Sequence, residues 1–195
     1  MKRLIDMLSS ALGLALLFPV LAITSLAIYF FSKGDIFFTQ KRVGIEGKEF
    51  NLYKFRTMTP MIDAKNGSFD AGSQARVTPI GKFLRRTKLD ELPQLFNVLI
   101  GDMSLVGPRP EVRKWVDEYP VQWAKVHTVR PGITDPASII YRNEEELLSA
   151  AKDPEKAYRD TILPHKLSLY EDYVDNNSVI NDFKIVFKTF LALLN

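Results

Sequence analysis

The sequence predicts a mainly helical α+β protein whose first helix enters a membrane. Three observations predict it: an uncharged run of 25 residues (Met7–Phe31), two short alternating runs around a glycine turn, and several segments with apolar residues at helical spacing. An apolar fraction of 46% over 195 residues is enough for a hydrophobic core in about one domain. We therefore divide the chain into a membrane helix at residues 1–34 and a folded domain at residues 35–195 that carries interfacial amphipathic helices.

The apolar run Met7–Phe31 is long enough to cross a hydrocarbon core of about 30 Å as a helix. Lys2 and Arg3 precede it, which favours a cytoplasmic N-terminus, and Pro19 near its middle predicts a kink. Two topologies follow: a kinked helix that spans the bilayer, or a re-entrant helix that dips in and returns. Length alone favours spanning. A cleaved signal peptide is disfavoured because the run is long and no A-x-A-like site closes it.

The next elements are a hairpin and a capped helix. Ile36–Val43 and Lys48–Phe55 alternate around a glycine-containing turn and predict two antiparallel strands. Met58–Ser73 is polar with two glycines, which predicts a short helix and a loop. Thr78 followed by proline predicts an N-cap for a helix through Arg86.

Short helices are predicted for the rest of the chain. Leu92–Ile100 has helical apolar spacing and a glycine after it, Pro110–Tyr119 resembles another short helix, and a further helix starts at Asp153 and continues towards Val174. The stretch Val179–Leu194 places its apolar residues on one face. Such a face either packs on the core or lies in the lipid interface.

Composition limits the chemistry. There are no cysteines, which excludes thiolate catalysis and cysteine-ligated metals, and His127 and His165 form no metal-binding motif. A catalytic metal would therefore be held mainly by oxygen ligands, which favours Mg²⁺ or Mn²⁺. Residues 36–130 hold sixteen basic and ten acidic side chains, so anionic ligands are expected there, although a lysine-rich surface gives the same excess.

Four motifs in this basic region bear on function. Adjacent carboxylates Asp90 and Glu91 follow Arg85, Arg86 and Lys88 at the start of a predicted helix, whose N-terminus favours negative charge. The alternative is ordinary helix capping.

The other three motifs are basic. Lys54 and Arg56 end a predicted strand on one face and suit a diphosphate, unless they only protect a strand edge. Arg109 lies between two prolines, which fix the backbone and suit a phosphate clamp or a structural turn; Arg130 precedes a similar Pro-Gly turn.

The order "KFRTM", "RRTKLDELPQLFNVLIGDMSLVGPRP" and "VRPGIT" resembles the bacterial sugar transferases, the small monotopic phosphoglycosyl transferases. The resemblance extends from the proline-broken N-terminal run to about Tyr141. No further transmembrane helices are seen, so the chain resembles the minimal form. After "RPGIT" the residues are Asp135-Pro136-Ala137-Ser138, where many members have a Gly-Leu or Gly-Trp type segment, which leaves the sugar and nucleotide contacts near 135–143 open.

The resemblance implies an enzyme that moves a sugar-1-phosphate from a UDP-sugar to a polyprenyl phosphate, undecaprenyl phosphate in bacteria, and releases UMP. This is the first membrane step of glycoconjugate synthesis, with downstream glycosyltransferases as expected partners. Asp90 would be the nucleophile, Glu91 and Asp90 would hold Mg²⁺, and phosphate would be bound by Lys54, Arg56, Arg85, Arg86, Arg109 and Arg130.

The resemblance also implies a topology. Because UDP-sugars are cytoplasmic, the helix broken at Pro19 would be re-entrant, with the rest of the chain on the cytoplasmic face of the inner membrane. The rival hypothesis is a non-catalytic membrane-anchored protein whose basic region binds anionic lipid or a partner. That hypothesis leaves the acidic pair among the basic motifs unexplained. Nucleic-acid binding is not expected, since no recognised motif supports it.

Overall fold

The computed structural model describes residues 1–32, 34–59 and 76–194. Within them the predicted mainly helical α+β fold is confirmed; residues 60–73 of the predicted helix and loop at Met58–Ser73 lie outside them. The strands are β1 Phe37–Val43, β2 Glu49–Phe55, β3 Ser104–Val106 and β4 Gly132–Thr134. The α-helices are α1 Lys2–Phe31, α2 Pro79–Thr87, α3 Gln94–Ile100, α4 Arg113–Glu118, α5 Pro120–Val126, α6 Pro136–Ile140, α7 Glu144–Ala150, α8 Pro154–Ala157, α9 Leu163–Asp175 and α10 Val179–Leu194.

Helix α1 is apolar along most of its length and runs from Lys2 to Phe31 with Pro19 inside it. It is long and apolar enough to cross a membrane, and most of its side chains lie outside the protein interior. Leu12, Leu16 and Phe18 are each 60% exposed or more. Burying such a surface in lipid would remove it from water, which makes α1 a candidate membrane helix.

Both ends of α1 contact the folded domain. Near its start, the Arg3 guanidinium donates to the carbonyl oxygens of Val98 and Leu99 at the end of α3, at 2.5 and 2.8 Å. At its end, Ser32 accepts a hydrogen bond from Arg56 through its carbonyl oxygen at 2.9 Å. Between these points α1 approaches α3 again, where a side-chain carbon added at Gly13 would lie 3.4 Å from Leu95. The helix is therefore fastened to one body at both ends.

The predicted hairpin is confirmed, with each strand starting one residue later than expected. Strands β1 and β2 pair antiparallel from Phe37 opposite Phe55 to Val43 opposite Glu49. The predicted cap of α2 is also confirmed: the Thr78 hydroxyl accepts from the Gly81 N–H at 3.0 Å. The last residue of β2, Phe55, and Leu84 of α2 pack with Ile28 of α1 in a small apolar cluster.

Strands β3 and β4 are parallel, and they bring two distant loops together. Ser104 pairs with Gly132 and Val106 with Thr134. The two backbones are so close that a side-chain carbon on Gly132 would lie 2.1 Å from the Gly107 nitrogen. Both positions therefore require glycine, and the residues that follow each strand come to lie side by side.

The remaining helices form the largest apolar cluster around Trp115, Trp123 and Tyr170. The helix predicted at Pro110–Tyr119 is shorter than expected (α4). The segment predicted from Asp153 contains a π-helical turn at Tyr158–Ile162, just before Pro164. Proline has no N–H to donate, which interrupts the regular hydrogen-bond ladder there.

Helix α10 contains the C-terminal stretch whose apolar residues share one face. It packs on the domain through Asp182 and Ile185, which are buried. Its apolar stripe points outward: Ile180, Phe183, Val186, Phe187, Phe190 and Leu191 are all exposed. The stripe is therefore not part of the core formed by the described residues.

Candidate active site

One carboxylate holds two cations at the centre of the basic region. The Glu91 Oε1 atom accepts from the Lys54 Nζ at 2.7 Å and from the Arg109 Nη2 at 2.5 Å. Lys54 lies on β2, Arg109 follows β3, and Glu91 lies in a short 3₁₀ turn, Leu89–Glu91, before α3. Three elements that are distant in sequence therefore converge on one point.

Local sequence fixes each of these positions. Lys88 ends α2 in the left-handed conformation with φ of 57°, which turns the chain sharply into the carboxylate pair. Arg109 lies between Pro108 and Pro110, whose φ angles are fixed by their rings. The Pro108 carbonyl oxygen also accepts from the Gly132 N–H at 3.0 Å, so the loop that carries Arg109 is tied to β4. The geometry is preset before any ligand binds.

Asp90 lies beside this cluster and is only 7% exposed. Its Oδ1 atom is buried and has no hydrogen-bond partner among the described residues. Burial raises the pKa of the Asp90 carboxyl, and the charge of Lys54 offsets part of that rise. A buried carboxylate oxygen without a donor is costly, so this oxygen is poised to react with or bind something that the protein does not itself supply.

The pKa values of the three central groups reflect both burial and their mutual attraction. Burial acts to raise the pKa of Glu91, but Arg109 and then Lys54 outweigh it, so the pKa lies well below its usual range. Glu91 likewise raises the pKa of Arg109 against the effect of burial. Burial lowers the pKa of Lys54, and the attraction of Glu91 offsets this in part. The site thus holds two half-buried basic side chains with one carboxylate between them.

This arrangement suits a polyanionic ligand with an electrophilic phosphorus. Two cations that share one carboxylate keep donor capacity for phosphate oxygens, and arginine binds phosphate in a bidentate manner. Adjacent Asp90 offers an oxygen that can attack. Among the described residues no group of three acidic or histidine side chains forms a metal cage. Magnesium commonly binds through one or two carboxylates and completes its shell with substrate phosphates and water. Of the two carboxylates here, Asp90 offers an oxygen without a hydrogen-bond partner among the described residues, whereas Glu91 Oε2 accepts from the Arg109 Nη1 at 3.5 Å.

The other predicted phosphate ligands do not bond to Glu91 and make different contacts. Arg56 bonds to Ser32 at the end of α1, as described above. Arg85 donates to the Thr57 hydroxyl at 3.2 Å and pairs with Glu145 of α7 at 3.0 Å, while Arg86 is exposed. Arg130 donates through Nε to the Gly101 carbonyl oxygen at 2.9 Å, at the opposite end of α3 from Glu91.

One residue beside the site is absent from the motif-based predictions. Asp135 follows β4, next to the Arg109 loop that follows β3, and is 0% exposed. Its carboxylate caps α6 by accepting from the Ser138 N–H at 2.9 Å, and its charge acts on Arg109. Burial raises its pKa. The only signal in the sequence was the departure from the usual segment after "RPGIT".

Comparison with known proteins agrees with the motifs. The model of one family, described as Bacterial sugar transferase, matches residues 1–195. An Aeromonas hydrophila protein named UDP-N-acetylgalactosamine-undecaprenyl-phosphate N-acetylgalactosaminephosphotransferase is 37% identical over 99% of this chain and 43% of its own length.

Two further relatives carry a different sugar in their names. UDP-glucose:undecaprenyl-phosphate glucose-1-phosphate transferase of Klebsiella pneumoniae is 40% identical over 96% of this chain and 39% of its own length. The protein of the same name in Caulobacter vibrioides is 36% identical over 99% of this chain and 69% of its own length. The chain thus spans less than half of the length of the first two relatives.

Proposed function

This chain belongs to the bacterial sugar transferase family, and we propose that it transfers a sugar phosphate from a UDP-sugar to undecaprenyl phosphate or a similar polyprenyl phosphate. The observation that carries the proposal is the cluster of Lys54, Glu91 and Arg109 beside the buried, unpartnered oxygen of Asp90. It combines phosphate-binding cations with a carboxylate that can act as nucleophile.

The reaction is proposed to pass through two displacements at one phosphorus. In the first, an Asp90 oxygen forms a bond to the phosphorus that carries the sugar, and the bond from that phosphorus to the bridging oxygen of UDP breaks. UMP leaves with the electron pair, and the sugar phosphate remains on Asp90 as an acyl phosphate. In the second, a polyprenyl phosphate oxygen attacks the same phosphorus, and the Asp90 carboxylate is released.

The neighbouring residues bind and orient the anions. Lys54 and Arg109 neutralise the diphosphate, and Glu91 holds both cations in place while they do so. Mg²⁺, when bound by Asp90 and Glu91 with the substrate phosphates, would offset the charge on the transferring phosphoryl group. The sugar stays open, since the relatives are named for both N-acetylgalactosamine and glucose.

Contacts at both ends of α1 support a re-entrant topology on the cytoplasmic face. A straight helix of 30 residues is about 45 Å long, which exceeds a hydrocarbon core of about 30 Å. A spanning α1 would place Arg3 and Ser32 on opposite sides of that core. Both residues instead bond to the same folded domain. The exposed stripe of α10 supports the same placement, with this helix lying along the lipid surface.

Because the chain has no cysteines, its topology can be tested by labelling single introduced cysteines. One cysteine is placed directly before Lys2, and the other replaces Lys48, which is exposed on the hairpin. In inverted membrane vesicles, which expose the cytoplasmic face, an impermeant maleimide should label both. Labelling of only one of the two would contradict the re-entrant topology and favour a spanning α1.

The activity is tested by UMP release from the purified protein with Mg²⁺, polyprenyl phosphate and a panel of UDP-sugars. Asp90→Asn should abolish release, whereas Asp117→Asn, at an exposed position on α4, should not. Capture of a radiolabelled sugar phosphate on the protein before lipid is added would support the covalent step. Full activity in Asp90→Asn would refute the nucleophile, and no release with any donor would favour the non-catalytic membrane anchor.

A further inference from the structure

A second cationic cavity lies at the far end of α3 from Glu91. It has a volume of about 210 Å³, and its wall includes Lys2, Arg3 and Arg130. Arg3 contacts the last carbonyl groups of α3, and Arg130 contacts the Gly101 that ends this helix. The cavity and the candidate active site are thus separated by the length of α3.

The charges in this cavity are only partly neutralised. Lys2 pairs with Asp182 at 2.5 Å. Arg3 and Arg130 contact carbonyl oxygens, which fix the guanidinium groups without cancelling their charge. The acidic side chain in the wall, Asp6, is held by the Ser104 hydroxyl at 2.8 Å and by a backbone N–H. The balance of these side chains is one net positive charge. The Nη1 and Nη2 atoms of Arg130 have no hydrogen-bond partner among the described residues, since this side chain bonds through Nε.

The cavity lies where apolar helices meet the polar domain. Lys2, Arg3 and Asp6 belong to the first two turns of α1, on which Leu4 and Leu8 are exposed. Asp182 belongs to α10, next to its exposed apolar stripe. When α1 and α10 contact a bilayer, a cavity at this junction is at the depth of the lipid headgroups.

We propose that this cavity binds the phosphate of an anionic glycerophospholipid, with Arg130 and Arg3 as its main donors. Arginine is suited to this ligand because its planar group makes paired hydrogen bonds to phosphate oxygens. The lipid would tie the start of α1, α3 and the loop before β4 to the membrane surface. The proposal depends on the membrane placement proposed above but not on the transferase chemistry. The competing explanation is that both arginines only satisfy the carbonyl groups at the end of α3.

The test is a thermal-unfolding titration of the full chain in detergent with short-chain phosphatidylglycerol. The wild-type protein should show a saturable rise in unfolding midpoint, and Arg130→Gln should weaken the midpoint-derived affinity about ten-fold through loss of a charge-assisted contact. Arg142→Gln is the matched control, since it removes the same charge from an exposed position outside this cavity. Its titration should match that of the wild type.

Two further ligands show whether the rise in unfolding midpoint comes from an anionic lipid or from phosphate alone. Short-chain phosphatidylcholine has a phosphate but no net charge and should give a much smaller shift; an equal shift would overturn the proposal. If inorganic phosphate alone reproduces the whole shift, the cavity binds free phosphate and the lipid assignment is wrong.

Arg130→Lys serves where Arg130→Gln does not fold, because it keeps the charge and loses the paired hydrogen bonds. It should bind the lipid several-fold more weakly, and unchanged binding would overturn the role of Arg130. UMP release by Asp90→Asn and its control Asp117→Asn is measured separately. A negative result in the lipid titration therefore leaves the transferase proposal intact.

Discussion

Replacing Glu91 with Gln tests whether one carboxylate organises the candidate active site. Lys54 and Arg109 both donate to the same Glu91 oxygen, at 2.7 and 2.5 Å. Gln keeps the shape of this side chain but removes the negative charge that the two cations share. Breaking a buried ion pair by removing one partner costs about 3–5 kcal/mol. Because Arg109 is partly exposed, we expect the lower end, about 3 kcal/mol. At about 2–4 °C per kcal/mol for a chain of this size, the unfolding midpoint should fall by about 6–12 °C.

The assay is thermal unfolding in detergent, with and without UDP. A diphosphate can replace the missing carboxylate between the two cations, so UDP should raise the midpoint of Glu91→Gln more than that of the wild type. Glu145→Gln is the control, since its partner Arg85 forms a more exposed pair, worth at most about 1 kcal/mol. Equal midpoints for Glu91→Gln and the wild type, with UDP stabilising both alike, would refute the organising role of Glu91.

Two other groups give predictions about pH and stability. The pKa of Asp90 is raised above its ordinary value of 3.8, and its carboxylate is the proposed nucleophile. The rate of UMP release should therefore rise with pH in the acidic range above 3.8. A rate that does not change with pH there would contradict this prediction. Since the folded state holds this proton more tightly than the unfolded state, stability falls as pH rises from 3.8 through the folded pKa. Asp90→Asn should therefore unfold at a higher temperature than the wild type at neutral pH. An unchanged or lower unfolding midpoint would mean that the buried Asp90 carboxylate does not destabilise the fold. The Tyr170 hydroxyl is fully buried without a hydrogen-bond partner among the described residues, so Tyr170→Phe should stabilise the fold by about 1 kcal/mol in denaturant titrations. Destabilisation would mean that the hydroxyl has a partner such as a bound water.

The elements of the fold were predictable where one local signal dominates. The Thr78 cap and the alternation around the hairpin turn each depend on neighbouring residues, and the structure has both. The parallel pairing of β3 with β4 was not predictable, because each strand has three residues and no periodicity to detect. That pairing depends on Gly107 and Gly132, whose close approach becomes visible only in three dimensions.

The site shows the same division. The motifs pointed to Lys54, Glu91 and Arg109, and the structure brings these together. The motifs gave Arg56 the same weight, yet it bonds to Ser32. Sequence identifies a cation near a functional motif but not the direction of its side chain, which depends on the strand end and on the available carbonyl groups. Asp135 was missed because no motif marks it: its role depends on Arg109, which lies 26 positions earlier in the chain.

The contact between Lys2 and Asp182 joins residues 180 positions apart, and it affects how the protein is made. The apolar α1 leaves the ribosome well before its partners at residues 98, 104 and 182. With the membrane placement proposed above, lipid can cover the helix during that interval, so we expect membrane insertion to precede folding of the domain. The domain would then assemble on a helix already in the bilayer, and the contact of Asp182 with α1 would form after the contacts at residues 98 and 104. A ribosome stalled before residue 182 should therefore yield a chain that is membrane-bound but lacks the native anchorage of α1.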